Sequence, residues 1–177
     1  MDHISLIKTI AAHPADTQGR LRTGDLDVPC AFGRSGLTTQ KQEGDGATPI
    51  GRWLLRELYW RPDRPNPPET GLPSRQISIN DGWCDAPDHP DYNRPVKLPF
   101  SASHEKLWRD DPLYDLMIPL GYNDDPVVPG QGSAIFFHLA RENYQPTEGC
   151  VAIAENHMRL LLPLLSARTI LEVMLEP

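Results

Sequence analysis

The chain has 177 residues, 39% hydrophobic and 23% charged, a make-up that buries one sizeable core and excludes a disordered chain. Its formal charge of −7 leaves no basic footprint for nucleic acid or an anionic membrane surface, and no stretch approaches the ~20 apolar residues of a membrane span. Nineteen prolines against 13 glycines keep helices and central strands short, so a mainly β fold with long connections, in a single domain over residues 1–177, is expected.

The amino terminus, Met1 to Ala11, has an acid at position 2 and alternates polar with apolar residues. It reads as a strand over residues 3–11 rather than a secretory leader. The protein then stays inside, leaves by a route not visible here, or lacks its leader in this numbering. Two more strands are expected over residues 19–26 and 28–33, broken near Asp27 and Pro29, making a three-stranded meander.

The glycine-rich segment after Gly33 lacks the strand-then-helix context of a phosphate-binding loop. Thr48-Pro49-Ile50-Gly51 is a turn signature, feeding a strand from Trp53 to about Trp60; the alternative is a loop bordering a site. Residues 61–75 carry Pro62, Pro65, Pro67, Pro68 and Pro73 and read as an irregular loop, followed by a short strand over residues 76–80.

Asp81, Asp85, Asp88 and Asp91, with Cys84 and His89, invite a metal hypothesis, but their spacing fits neither a paired-cysteine zinc site nor a calcium loop. A surface insertion that shapes a groove is the better reading, and no metal or other cofactor is assigned. Residues 103–107 read as a helical turn capped by Ser103, with His104 and Glu105 on solvated surface. A strand is expected over residues 114–120, ending in a turn at Gly121-Tyr122-Asn123.

Residues 133–138 form an apolar run ending in His138. The polar segment from Leu139 to Glu148 favours a loop, and Cys150 opens a second apolar run. Two adjacent, antiparallel strands joined by this loop would bring His138 and Cys150 together at one end of a sheet. Gly149 permits a sharp turn before the thiol, and an imidazole beside a thiol raises the thiolate fraction for nucleophilic catalysis. The competing reading makes Cys150 a small core residue and His138 a hydrogen-bonded strand residue.

A helix over residues 156–167 is expected, capped by Asn156 and stopped near Pro163, then a strand over residues 169–175. Cys30, Cys84 and Cys150 are an odd number; a Cys30–Cys84 disulfide stays open.

The segment His138…Thr147-Glu148-Gly149-Cys150-Val151, with Thr48-Pro49-Ile50-Gly51 and Tyr122-Asn123, resembles the YkuD-type catalytic domain of the L,D-transpeptidases of bacterial peptidoglycan. The resemblance spans about residue 20 to the carboxyl end. It implies a β-sandwich-like domain with a helix before the last strand. It also implies a cysteine acyltransferase in which Cys150 attacks a stem-peptide carbonyl and His138 is the base. Gly149, Thr147 and Tyr122 would shape the site or hold the oxyanion. A backbone carbonyl near the histidine would orient its ring.

The chain departs from the family pattern in having Glu148 before the glycine and Ala152 two residues after the cysteine, where many members carry His and Arg. Arg141 would then be the substitute for binding a substrate carboxylate, with Glu148 also at the substrate. Stem peptides as donor and acceptor, acylation of Cys150 by carbapenem-type β-lactams and a periplasmic or envelope location follow from the resemblance. A peptidoglycan amidase or carboxypeptidase on the same scaffold, or a non-catalytic envelope-binding module, are the alternatives.

Overall fold

The computed structural model describes residues 3–176; the acid at position 2 lies outside them. The strands, in chain order, are β1 (Leu6–Ala11), β2 (Gln18–Thr23), β3 (Leu26–Ala31), β4 (Leu37–Thr38), β5 (Thr48–Pro49), β6 (Gly51–Leu54), β7 (Leu58–Trp60) and β8 (Ser74–Gln76). They continue as β9 (Asp81–Cys84), β10 (Pro95–Lys97), β11 (His104–Lys106), β12 (Leu116–Pro119), β13 (Phe136–Leu139) and β14 (Val151–Ile153). Helix α1 (Glu155–Leu161) and β15 (Ile170–Leu175) complete the chain. The fold is mainly β with one short helix late in the chain, as composition and resemblance imply.

Ten strands form one sheet in the order β6-β15-β1-β2-β3-β14-β13-β12-β7-β8. The expected meander is β1–β3, but its break lies at Gly24 and Asp25. Pro29 sits inside β3, opposite Arg20, which is tolerated because β14 joins the other edge of β3 only at Ala31. The single strand expected from Trp53 to Trp60 is in fact two: β6 pairs with β15 and β7 with β12, near opposite ends of the order. Residues 55–57 cross between them, with Leu55 N–H on Thr169 O at 3.0 Å and Arg56 N–H on Pro119 O at 3.1 Å. The sheet therefore curls until its two ends are joined, and the main core fills the interior with Ile7, Leu21, Phe32, Leu55, Phe137, Val151, Leu161 and Leu171.

Strands β12, β13 and β14 are buried on both faces, which is why they read as continuous apolar runs rather than alternating ones. Leu116, Ile118, Phe137, Leu139, Val151 and Ile153 point into the main core. Met117, Phe136 and Cys150 belong to a second cluster with Tyr59, Ile77, Trp83, Leu107 and Tyr114. That second cluster is roofed by a three-stranded sheet, β10-β9-β11, built from the acid-rich segment. The helical turn expected at residues 103–107 is β11, because its backbone pairs with β9 at His104–Cys84 and Glu105–Trp83. The roof is tied down by Asn93, which accepts from Trp83 Nε1 at 2.9 Å and from Ala134 N–H at 3.0 Å.

Helix α1 begins one residue earlier than expected. Ala154, not Asn156, stands at its N-cap and makes no side-chain cap bond. Pro163 lies in the 3₁₀ turn that ends it. All three cysteines are free, with Cys30 in the main core and Cys84 in β9, so the Cys30–Cys84 disulfide is absent.

The segment Phe32–Arg34 sets where the loop before Cys150 lies. Thr147 N–H donates to Phe32 O and Arg34 N–H to Thr147 O, both at 2.8 Å, while Gly33 N–H donates to Thr48 Oγ1 at 2.8 Å. A Cβ on Gly33 would lie 2.1 Å from the Gly46 carbonyl oxygen, so backbone must move. Gly33→Ala is expected to cost about 1–3 kcal/mol in urea unfolding and to slow alkylation of Cys150. Wild-type stability in that variant would remove Gly33 from this role.

Candidate active site

The register of β13 and β14 decides which groups meet. They run parallel, with Phe137 opposite Val151 and His138 opposite Ala152. The antiparallel pairing expected from the sequence is thus corrected: residues 140–150 run back from the C-terminal end of β13 to the N-terminal end of β14 instead of forming a hairpin. Cys150 falls level with Phe136, two residues from His138, an offset of about 6.6 Å along the strand. Both side chains nonetheless leave the same face and line one cavity of about 400 Å³.

Cys150 is 7% exposed and His138 5%. The thiol donates to Ala134 O and accepts from Phe136 N–H, each at 3.3 Å. His138 Nδ1 lies 2.9 Å from Leu139 O. A carbonyl only accepts, so Nδ1 carries the proton and Nε2 is the free basic nitrogen. The orienting carbonyl implied by the family resemblance is therefore that of the next residue. Tyr114 packs its ring against the imidazole, edge to face, with centroids 5.2 Å apart, a contact worth about 0.5–1.5 kcal/mol beyond its buried area.

Electrostatics at the pair differ from the sequence expectation. Burial pushes the Cys150 thiol up to about 12, and the nearby Glu105 adds to the rise. Burial likewise pulls His138 down to about 4, against the bond to Leu139. Desolvation disfavours both charged forms, so the resting pair is neutral thiol and neutral imidazole rather than thiolate and imidazolium.

Thr147 and Gly149 sit at the turn that aims Cys150. Thr147 Oγ1 donates to Cys150 O at 2.8 Å and accepts from Gly149 N–H at 3.1 Å. Gly149 has φ +130°, and a Cβ there would lie 2.8 Å from Ala47 O, so this position requires glycine. Because its N–H is engaged by Thr147, Gly149 serves the backbone path rather than an oxyanion. Thr48, in the turn read from the sequence, is buried and reaches Cys150 O at 3.4 Å.

Arg141 and Glu148 line the cavity at its exposed rim. Arg141 Nη1 reaches Pro146 O at 3.4 Å, and Glu148 pairs with Arg34 at 2.7 Å. Tyr122 is not among the cavity residues: its hydroxyl donates to Gln131 O at 2.5 Å and its ring packs on Trp53. That removes it from any oxyanion role.

Sequence reasoning missed Asp85, Glu105, Arg109 and Tyr114, which all line the cavity. His104 and Glu105, read as solvated surface, are half-buried in its wall. Tyr114 donates its hydroxyl to Glu105 Oε1, and burial raises both groups. The one sequence signal for them was the density of acids and aromatics between Asp81 and Tyr114. Among the described residues, no three His, Cys, Asp or Glu side chains gather as a metal site, and no helix is long and apolar enough to cross a membrane.

No curated protein and no solved structure matches this chain. The sequence profile of the L,D-transpeptidase catalytic domain, YkuD, matches residues 10–173, which takes in β2 through β14 and both cavity-lining residues at the centre of the site. The chain therefore belongs to the YkuD family of L,D-transpeptidase catalytic domains, which act on the peptides of peptidoglycan.

Proposed function

We propose that this protein is a cysteine acyltransferase that cross-links peptidoglycan stem peptides through a thioester on Cys150, with His138 as general base and acid. The observation that carries the reading is that Cys150 and His138 line one cavity, with the imidazole tautomer fixed by Leu139 O so that Nε2 is free to take a proton.

Cys150 Sγ attacks the donor carbonyl while its proton passes to His138 Nε2. The thiol rests protonated at about 12, so thiolate forms only as the S–C bond does, and the imidazolium is transient. The oxyanion is held by the backbone N–H of Cys150; loss of one such donor typically costs about 100- to 1,000-fold in kcat. Collapse expels the leaving amine, which takes the proton from His138. The amine of a second stem then attacks the thioester, gives its proton back through His138 and releases the cross-linked product and the free thiol. Ala152 stands where many relatives carry Arg, and Arg141 at the rim takes over the substrate carboxylate. The substrate places the protein's work in the cell envelope.

Incubation with defined stem peptides and with a carbapenem, followed by intact-mass measurement, tests this reading. Wild type is expected to gain one acyl adduct and to produce cross-linked dimers, Cys150→Ala neither, and His138→Gln at least about 100-fold less of both. Trimmed monomers in place of dimers would make the protein a hydrolase, and no adduct at all would remove the nucleophile.

The neutral resting pair has its own signature. With the thiol at about 12 and the imidazole at about 4, raising the pH ionises the thiol progressively and no imidazolium stabilises it near neutrality. Iodoacetamide alkylation of Cys150 is expected to accelerate about tenfold per unit from pH 6 to pH 9. A plateau between pH 6 and pH 8 would mean a pre-formed ion pair.

A further inference from the structure

The catalytic cavity has an acidic wall that the reaction scheme does not use. The roof sheet contributes Asp85, just after β9, and Glu105, in the middle of β11. Apart from Arg141 at the exposed rim, which reaches only Pro146 O, the other charges named on the lining are already answered. Lys41 is held by Asp45 and by Gln42 O at 2.9 Å. Arg109 forks onto Asp111 at 2.7 and 2.6 Å, Glu148 takes Arg34, and Glu43 accepts from Tyr92 at 2.5 Å and Ser133 at 2.6 Å.

Asp85 has no such answer. Among the described residues no ion pair reaches it, and its Oδ1 is shielded from solvent without a hydrogen-bond partner. Glu105 receives the Tyr114 hydroxyl on Oε1, and the closest guanidinium nitrogen of Arg109 stays 3.9 Å away. A buried carboxyl oxygen left without a donor costs free energy that a donor from a ligand recovers.

We propose that Glu105 and Asp85 are specificity-determining residues that seat a cationic amine of the substrate beside the Cys150 sulfur. This rests on the reading of Cys150 as the acylated nucleophile. An ammonium offers several donors and no acceptor, which suits a carboxyl whose buried oxygen has no donor beside one that takes a single hydroxyl on Oε1; a metal ion would need a third ligand that the described residues do not gather. The seat also bears on reactivity. Glu105 opposes ionisation of the thiol, and Asp85 and Glu105 repel each other. A substrate ammonium between them offsets both repulsions, so a peptide carrying a free amine near its scissile carbonyl favours ionisation of the thiol that attacks it. An N-acylated peptide does not.

The test needs no knowledge of the natural peptide. Cys150 is labelled with methanethiosulfonate reagents bearing an aminoethyl or a sulfonatoethyl tail, with rates read by intact mass and Cys150→Ala correcting for Cys30 and Cys84. The ratio of the two rates, divided by that for 2-mercaptoethanol, cancels any change in thiol ionisation.

A preference of about tenfold or more for the ammonium reagent is expected in wild type. Glu105→Gln, which keeps an acceptor for Tyr114, and Asp85→Asn are each expected to lower the ratio at least about threefold. Either variant suffices should the other fail to fold. A wild-type ratio equal to that of the free thiol, or a ratio unchanged in the folded variants, overturns the ammonium seat while leaving the nucleophile intact. Absence of labelling by both reagents overturns the nucleophile reading itself.

Discussion

Burial of both faces of β13 and β14 is the constraint on which the site depends. Phe137, Leu139, Val151 and Ile153 must enter the main core, and side chains alternate along a strand. His138 and Cys150 are therefore obliged to emerge on the opposite face. A slip of one residue in either strand would bury the imidazole or the thiol among leucines and turn a phenylalanine or valine toward the cavity. The apolar residues fix the register, and the register fixes which side chains share the cavity.

The second face would be open to water without the roof sheet. Trp83 packs edge to face on Phe136 at 5.2 Å and Tyr114 on Phe136 at 5.7 Å, which shelters His138 and Cys150. The shelter has two opposed effects. Desolvation suppresses the thiolate at rest, which lowers idle reactivity. In the same dry volume each donor aimed at a developing charge counts for more than it would in water. Phe136 N–H, already on the sulfur at 3.3 Å, is one such donor for a thiolate as it forms.

The main strands, the late helix stopped near Pro163, and the shared cavity of His138 and Cys150 were legible because each rests on local pattern: apolar runs, a proline, a Thr-Glu-Gly-Cys segment. What was hidden depends on partners distant in the chain. Residues 103–107 have a helix-capping serine, yet adopt β11 because Cys84 and Trp83, some 20 positions away, supply the ladder. The parallel sense of β13 and β14 was invisible for the same reason, since a polar loop of ten residues serves a hairpin or a short crossover equally. Glu105 looks like surface in a run of Ser-His-Glu-Lys; only the approach of Tyr114 makes it part of a wall. Tyr122 lies next to a recognisable turn, but its hydroxyl is claimed by Gln131 O, a contact that no spacing rule predicts.

The cavity's walls come from distant parts of the chain, yet a few polar residues join them. Glu43, from the loop before β5, accepts hydroxyls from Tyr92 of the roof and from Ser133 at the entry to β13. Gly132 N–H returns to Tyr92 at 3.0 Å, and Asn93 donates to the carbonyls of Tyr122 and Asn123 while accepting from Ala134 N–H. Ala134 O is in turn the acceptor for the thiol. Ala134 therefore links the roof to the thiol through its own backbone, its N–H on Asn93 and its carbonyl on Cys150. That link makes the roof more than a cover over the second core. Its acids line the cavity with the thiol, its aromatic residues hold the second core, and its asparagine fixes the backbone of the residue whose carbonyl accepts from the thiol.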